Sequence, residues 1–182
     1  MTAVPRRLPG DPSATALVER MIRVDQAGEY GAKRIYEGQL AVLGRSPAAP
    51  AIRRMAEQEE RHLAVFDVLM GAHRVRPTLL SPLWHVAGYA LGAATALLGE
   101  RAAMACTVAV EEVIDEHYGR QSDTLGESQP ELKAAIDSSR RDEREHREIA
   151  LAHGAEAAPA YPALSAAIKT ASRLAIWLST RI

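Results

Sequence analysis

Cysteine occurs once in the chain, at position 106, and phenylalanine once, at position 66. A single thiol excludes an internal disulfide and a cysteine-built zinc site, and it fits a reducing, intracellular setting. Aromatic residues are only 4% of the composition, and no stretch alternates apolar and polar residues for long, so strands find no support. Neither sign of charge is in excess. The 22 basic and 23 acidic residues leave a net charge of −1, which gives a nucleic-acid partner no electrostatic footing. No GxGxxG or other nucleotide-binding fingerprint is present. Residues 1–17 carry Arg6, Arg7, Pro5, Pro9 and Pro12 without an apolar run. They do not read as a secretory signal, and Asp11 with the short length argues against a mitochondrial transit peptide.

What remains is rich in alanine and helical in period. Its 182 residues suffice for one domain with a sizeable core. We expect a flexible arm over residues 1–12 and a single helical domain over 13–182. The first helix is expected from about Ser13 to Leu43, started by Asp11-Pro12-Ser13 and stopped at Gly44. A second runs from about Pro50 to Met70, broken by "GAHRVRP" at 71–77. After Pro82 an apolar segment leads into helical pattern that continues to about Tyr118 or Leu125. Pro130 opens a helix reaching about His153, and a last one covers about Ala163 to Ile182. Four long helices, one or two shorter ones and short loops predict an all-α helical bundle.

Acids stand where the apolar stripes should be driest. On the first helix the stripe Val18, Ile22, Asp25, Ala32, Tyr36, Leu40 and Leu43 has Glu29 at its centre, flanked by Gly28 and Gly31. Each interior glycine costs a helix roughly 1 kcal/mol against alanine. Two purposes suit them equally: close helix packing, or room beside the acid. The second helix sets Glu59 and His62 among Ile52, Met55, Phe66 and Leu69, and the late helix sets Glu143 and His146 among Leu132, Ile136, Ser139 and Ala150. Between them Met104, Thr107, Ile114 and Tyr118 frame Glu111. Each half of the chain thus offers a lone Glu followed, 30 or 32 residues on, by Glu-x-x-His. Four converging buried carboxylates repel one another and lose their hydration. Two divalent cations would neutralise them, and the set of Glu29, Glu59, His62, Glu111, Glu143 and His146 is that of a di-iron or di-manganese carboxylate bundle.

Longer phrases go beyond this spacing. "RVDQAGEYGAKRIYEGQLAVLGR", "AEQEERHLAVF", "RVRPTLLSPLWHVAGYALGAATALLGERAAMACTVAVEE" and "RDEREHREIALAHGAE" closely resemble the demethoxyubiquinone hydroxylases of ubiquinone biosynthesis, the Coq7 family, from about residue 18 to the C-terminus. The resemblance implies an all-α, ferritin-like four-helix bundle with one or two additional membrane-interfacial helices, and a di-iron monooxygenase that inserts one atom of O2 into the ring of a polyprenyl benzoquinol, demethoxyubiquinol. It implies two Fe ions per chain, with Glu29 and Glu111 as terminal carboxylates, Glu59 and Glu143 as bridging ones, and His62 and His146 as one imidazole per iron. It implies an electron-relay role for Tyr118, beside His117, and makes NADH a candidate reductant. A lipid-binding accessory protein of the Coq9 kind enters as a candidate partner on the same ground, and a homo-oligomer is left open. The short N-terminus without a presequence points to a bacterial member, peripheral on the cytoplasmic side of the cell (inner) membrane.

Residues 77–99, "PTLLSPLWHVAGYALGAATALLG", hold no Asp, Glu, Lys or Arg and are long enough to span a bilayer. A span would put the second and third ligand helices on opposite sides of the membrane, so the segment must fold back, as a wall of the bundle or a face in the lipid surface. Gly88 and Gly92 suit close helix packing. The last helix sets Ile168, Leu174, Ile176, Trp177, Leu178 and Ile182 among Lys169, Arg173 and Arg181, which serves an interfacial anchor or a docked terminal helix equally. Two other functions compete: iron oxidation and storage in the ferritin manner, against which the uncharged segment argues, and a lipid carrier, which needs no inward ligands.

Overall fold

A computed structural model describes residues 12–182. The expected N-terminal arm, apart from Pro12, lies outside the described residues. Six α-helices follow in order: α1 (Ala14–Leu43), α2 (Ala49–His73), α3 (Ser81–Leu97), α4 (Glu100–Leu125), α5 (Pro130–Ala152) and α6 (Tyr161–Ser179). A 3-10 turn, Ala155–Ala157, precedes α6, and no strand occurs among the described residues. The start signal at α1 acts as expected, with the Ser13 hydroxyl accepting the Ala16 N–H at 3.0 Å and so satisfying one of the helix's free donors. Prolines open α2, α3, α5 and α6, where a missing N–H costs nothing.

One boundary differs from expectation. Helix α2 runs through Gly71 to His73 and ends at Arg74, which takes the left-handed conformation at φ 54°. The apolar segment after Pro82 folds back as expected, and its boundary with the helical pattern that continues to Leu125, which periodicity alone does not place, falls at Leu98 and Gly99, where Gly99 adopts φ 108°. That backbone is open to glycine and rarely to other residues. It reverses the chain, so α3 and α4 are separate helices. No described helix is long and apolar enough to cross a membrane.

The four long helices form the bundle. Helix α1 packs on α2, α4 on α5, and α2 faces α5. Helices α3 and α6 lie outside it, α3 along α1 and α6 along α4. The two halves of the chain are thus built alike: a lone-Glu helix, a Glu-x-x-His helix, then an outer helix. Apolar side chains close both ends. Tyr36, Ile52, Met55, Met104 and Val108 fill one; Ile22, Phe66, Tyr118, Leu132 and Ile136 fill the other. Each fully buried aliphatic or aromatic side chain contributes on the order of 1.5–3 kcal/mol, and these two plugs hold the helices around whatever lies between them.

Close approach of α3 to α1 depends on glycine. A Cβ on Gly92 would sit 1.9 Å from the Ile35 carbonyl oxygen, and one on Gly38 would sit 2.2 Å from that of Tyr89. Neither backbone can yield without moving a helix. At the far end of α3 the Thr78 hydroxyl donates to the Ile182 carbonyl at 2.6 Å, and the Trp84 indole donates to the Ser179 hydroxyl at 2.9 Å. Overpacking costs about 1–3 kcal/mol, and each kcal/mol moves the midpoint of a domain this size by about 2–4 °C. Gly92→Ala is therefore expected to lower the Tm by roughly 2–12 °C in a thermal melt. Gly71→Ala, whose Cβ meets nothing within 4 Å, is expected to leave it unchanged or raise it.

Candidate metal centre

Between the two apolar ends lies a layer of acids and imidazoles. Glu29, Glu59, His62, Glu111, Glu143 and His146 are all buried, none more than 7% exposed. Each arrives from the centre of its helix stripe: Glu29 from α1, Glu59 and His62 from successive turns of α2, Glu111 from α4, Glu143 and His146 from successive turns of α5. The structure brings all six together in two groups of four. Glu29, Glu59, His62 and Glu143 offer ligand atoms within 4.8 Å of one another, and so do Glu59, Glu111, Glu143 and His146. Glu59 and Glu143 belong to both groups.

The cluster is not held by hydrogen bonds among its own members. Both oxygens of Glu59, both of Glu143, one of Glu111 and the Nδ1 atoms of His62 and His146 are buried without a hydrogen-bond partner. Yet His146 Nδ1 lies 3.1 Å from an oxygen of Glu59 and 3.1 Å from one of Glu143, and His62 Nδ1 lies 3.4 Å from Glu29 Oε2. The atoms converge on common points without being aligned on each other. Unpaired buried carboxylate oxygens cost several kcal/mol each by order of magnitude, and a cation is the group that satisfies all of them at once. A divalent first-row ion about 2.1 Å from each ligand atom allows those atoms to stand up to about 4.2 Å apart, and the ligand atoms of each group lie within 4.8 Å of one another. Oxygen and imidazole donors suit iron or manganese. The six residues fit a pair of such ions, with Glu59 and Glu143 shared.

Electrostatics express the same strain. Burial, with the repulsion of Glu143, holds Glu59 well above the ordinary carboxylate range and Glu111 up at about 8. Burial also raises Glu29. For Glu143 burial acts upward, but contacts with both histidines outweigh it and hold that carboxyl at about 2. Burial opposes charge on His62, but Glu143 and Glu29 prevail and raise it to about 11; His146 is raised in the same way.

Tyr118 reaches the site, its hydroxyl donating to Glu29. Its counterpart escaped sequence reasoning. The Tyr36 hydroxyl donates to Glu111 Oε1 at 2.7 Å, although Tyr36 read only as a member of the apolar stripe. A signal existed: Tyr36 follows Glu29 by seven residues, as Tyr118 follows Glu111. The correspondence continues to Gln39 and Gln121, each ten residues past its Glu. Gln39 donates towards Thr107 at 3.5 Å, and Gln121 donates to Asp25 at 2.8 Å. Asp25 also meets His117 Nε2 at 3.2 Å.

An apolar cavity of about 180 Å³ opens beside this layer among α1, α3, α4 and α6, lined in part by Gly28, Gly31, Ile35, Trp84, Val110 and Ile176. A smaller void, about 10 Å³, shares Ala32, Ile35 and Val110 with it and is walled by Tyr36 and Glu111. The two readings of the α1 glycines now separate. A Cβ on Gly28 or Gly31 would meet nothing within 4 Å, so both leave room. Close packing belongs instead to Gly38, Gly88 and Gly92.

An all-α bundle with carboxylates and imidazoles at its centre defines the ferritin-like class. Within that class the chain belongs to the Coq7 family: the family model described as "Ubiquinone biosynthesis protein COQ7" matches residues 16–179. It is 63% identical to the 3-demethoxyubiquinol 3-hydroxylase of Rhodospirillum rubrum over 177 residues, covering 97% of this chain and 84% of that protein. It is 54% identical to the human mitochondrial NADPH-dependent 3-demethoxyubiquinone 3-hydroxylase over 176 residues, 94% of this chain and 81% of that one. The mitochondrial 5-demethoxyubiquinone hydroxylase of Saccharomyces cerevisiae is 42% identical over 184 residues, 92% and 79% of the two chains.

The charge balance sets a pH dependence for the metal-free protein. Glu29, Glu59, Glu111 and both histidines hold protons more tightly folded than unfolded. The stability they lend is present at low pH and is lost as pH rises, for Glu111 between its ordinary 4.5 and about 8 and for His62 between 6.5 and about 11. Glu143 acts oppositely, with stability lost as pH falls from 4.5 towards about 2. The Tm of the chelated protein is therefore expected to fall steadily between about pH 5.5 and 8.5, and divalent metal is expected to flatten the curve. A chelated protein whose Tm is level or climbs over that interval would contradict this charge assignment.

Proposed function

We propose that this chain is a di-iron monooxygenase that hydroxylates the ring of demethoxyubiquinol in ubiquinone biosynthesis. The observation that carries this reading is the buried set of four carboxylates and two imidazoles in two groups sharing Glu59 and Glu143, with an apolar cavity beside it. Glu29 and Glu111 would be the terminal carboxylates, Glu59 and Glu143 the bridging ones, and His62 and His146 one imidazole each. The names of the relatives supply the substrate. When bound, the iron pair supplies the activation of O2.

The chain's own residues do the rest. Tyr118 and Tyr36 orient the outer carboxylates by donating to Glu29 and Glu111. Gly28 and Gly31, on either side of Glu29 in the chain, leave space for a flat ring along α1. Apolar walls exclude water from the reacting ring. Tyr118, with its hydroxyl on Glu29 and its ring 6.0 Å from that of His117, is the natural relay for electrons reaching the site. The reductant would be a nicotinamide, NADH or the NADPH named for the human relative.

The substrate's polyprenyl tail directs the reading to a membrane surface. Helix α3 has no Asp, Glu, Lys or Arg, and only Gly92, Thr95 and Ala96 of its residues are buried. Leu83 and Val86 point outward on α3, with Leu79 ahead of it and Leu97 and Leu98 at its end. Leu174, Trp177 and Ile182 do so on and just beyond α6, and the Arg181 guanidinium lies 4.2 Å over the Trp177 ring. Apolar side chains flanked by arginine suit a face laid in the headgroup region. That face would bear on the cytoplasmic leaflet of a bacterial inner membrane, with the tail of the quinol leaving the cavity between α3 and α6.

The test is a single assay on iron-loaded protein. A short-chain demethoxyubiquinol is supplied in detergent with O2 and, in separate arms, NADH or NADPH, and the product is weighed after ¹⁸O2 labelling. We expect one labelled oxygen in the ring. Gly28→Val is expected to keep the iron and lower turnover by about tenfold or more, since a misfit of a few methylenes costs that much. Trp177→Glu is expected to spare the short-chain substrate and impair a long-chain one held in anionic vesicles. Two irons per chain with no ring hydroxylation would overturn the reading in favour of ferritin-like iron oxidation.

A further inference from the structure

The internal two-fold likeness of the site is broken at one place that touches the imidazoles directly. Both rings turn Nδ1 towards the cluster and Nε2 away from it, and each Nε2 is held by the residue preceding the shared Glu on the opposite helix. His62 Nε2 donates to Asp142 Oδ2 at 2.9 Å. His146 Nε2 donates to Gln58 Oε1 at 3.3 Å. Glu143 and Glu59 are shared; their neighbours Asp142 and Gln58 are not equivalent. One imidazole is backed by an anion at short range, the other by a neutral amide at longer range. A second difference has the same sense. Asp25, one turn before Glu29, corresponds to Thr107, one turn before Glu111. Asp25 is itself paired with His117, so Asp142 bears the argument.

We propose that the two metal positions are unequal, and that the one formed by Glu29, His62, Glu59 and Glu143 binds a divalent cation more tightly because Asp142 positions and polarises His62. A carboxylate accepting the outer N–H fixes the ring's tautomer and raises the basicity of the ligating nitrogen, and loss of such a partner typically costs 10–100-fold in metal affinity. The carbonyl of Gln58 fixes the orientation of His146 with less polarisation. The Asp142 side chain is itself 35% exposed, so its replacement leaves the core packing intact. Asp142 is a positioning residue, acting through His62. This inference rests on the metal assignment above, but not on the substrate or the reaction.

The test withdraws Fe(II) anaerobically from the loaded full-length chain with chelators of graded strength, counting iron at each stage. Wild-type protein is expected to release one iron well before the other and to give two distinct Mössbauer doublets. Asp142→Asn, which keeps an acceptor but removes the charge, is expected to weaken the tighter position by about 10–100-fold and bring the two steps together. Gln58→Glu is expected to tighten the weaker position. The melt of the chelated Asp142→Asn protein controls for folding and is expected to match wild type. Release of both irons in a single step from wild type would overturn the proposal, as would equal weakening of both steps by Asp142→Asn. Two unequal irons in a protein that hydroxylates no quinol would leave this inference standing and sink the functional reading. A chain that never holds two irons would sink both.

Discussion

Mutual repulsion of four buried carboxylates is the constraint on which this fold turns. Placing Glu29, Glu59, Glu111 and Glu143 in one dry layer is unfavourable by desolvation and again by like charge. The structure tolerates it because apolar side chains at both ends of the bundle hold the helices regardless. Phe66, Ile136 and Tyr118 on one side, and Met55, Met104 and Val108 on the other, are stabilising enough to keep a destabilised layer between them. That layer is where cations belong, since they alone convert the repulsion into attraction. Stability is thus traded locally for a preorganised site.

A repeated half-chain explains how so small a protein assembles six converging groups. Each half brings a lone Glu with a Tyr seven residues on, then Glu-x-x-His, then an outer helix. The tyrosines cross over, Tyr118 to Glu29 and Tyr36 to Glu111, and so do the supports of the histidines. Pairing each half's acid with the other half's donor ties the bundle through its own site. The outer helices are also used alike, α3 and α6 walling the cavity lined by Gly28 and Gly31 of α1. Where the halves diverge, at Asp142 against Gln58 and at Asp25 against Thr107, charge accumulates on one side.

Periodicity made most of this readable without coordinates. Stripes of apolar residues located the four long helices, and acids at the stripe centres located the site, because a buried carboxylate is conspicuous in a helical pattern. What escaped was of three kinds. The break at Gly99 depends on a backbone angle that a glycine permits but does not announce, in a chain with eleven other glycines. Tyr36 was hidden because a tyrosine on an apolar stripe looks like packing until its hydroxyl is seen on Glu111. Asp142 and Gln58 lie one residue off the centres of the α5 and α2 stripes, Asp142 partly exposed and Gln58 buried, and only the crossing of the helices brings them behind the histidines. Gly28 and Gly31 were ambiguous for a similar reason: whether a missing side chain admits a helix or a ligand depends on what stands opposite.

Anomalous diffraction at the iron edge from crystals of the iron-loaded chain decides whether this layer holds two metal ions, with Glu59 and Glu143 shared between them. Two peaks are expected per chain, one within each group of four residues, separated by about 3.5–4 Å as in other two-metal sites, with Glu59 and Glu143 between them. A single peak, or peaks outside the six-residue cluster, would contradict that assignment.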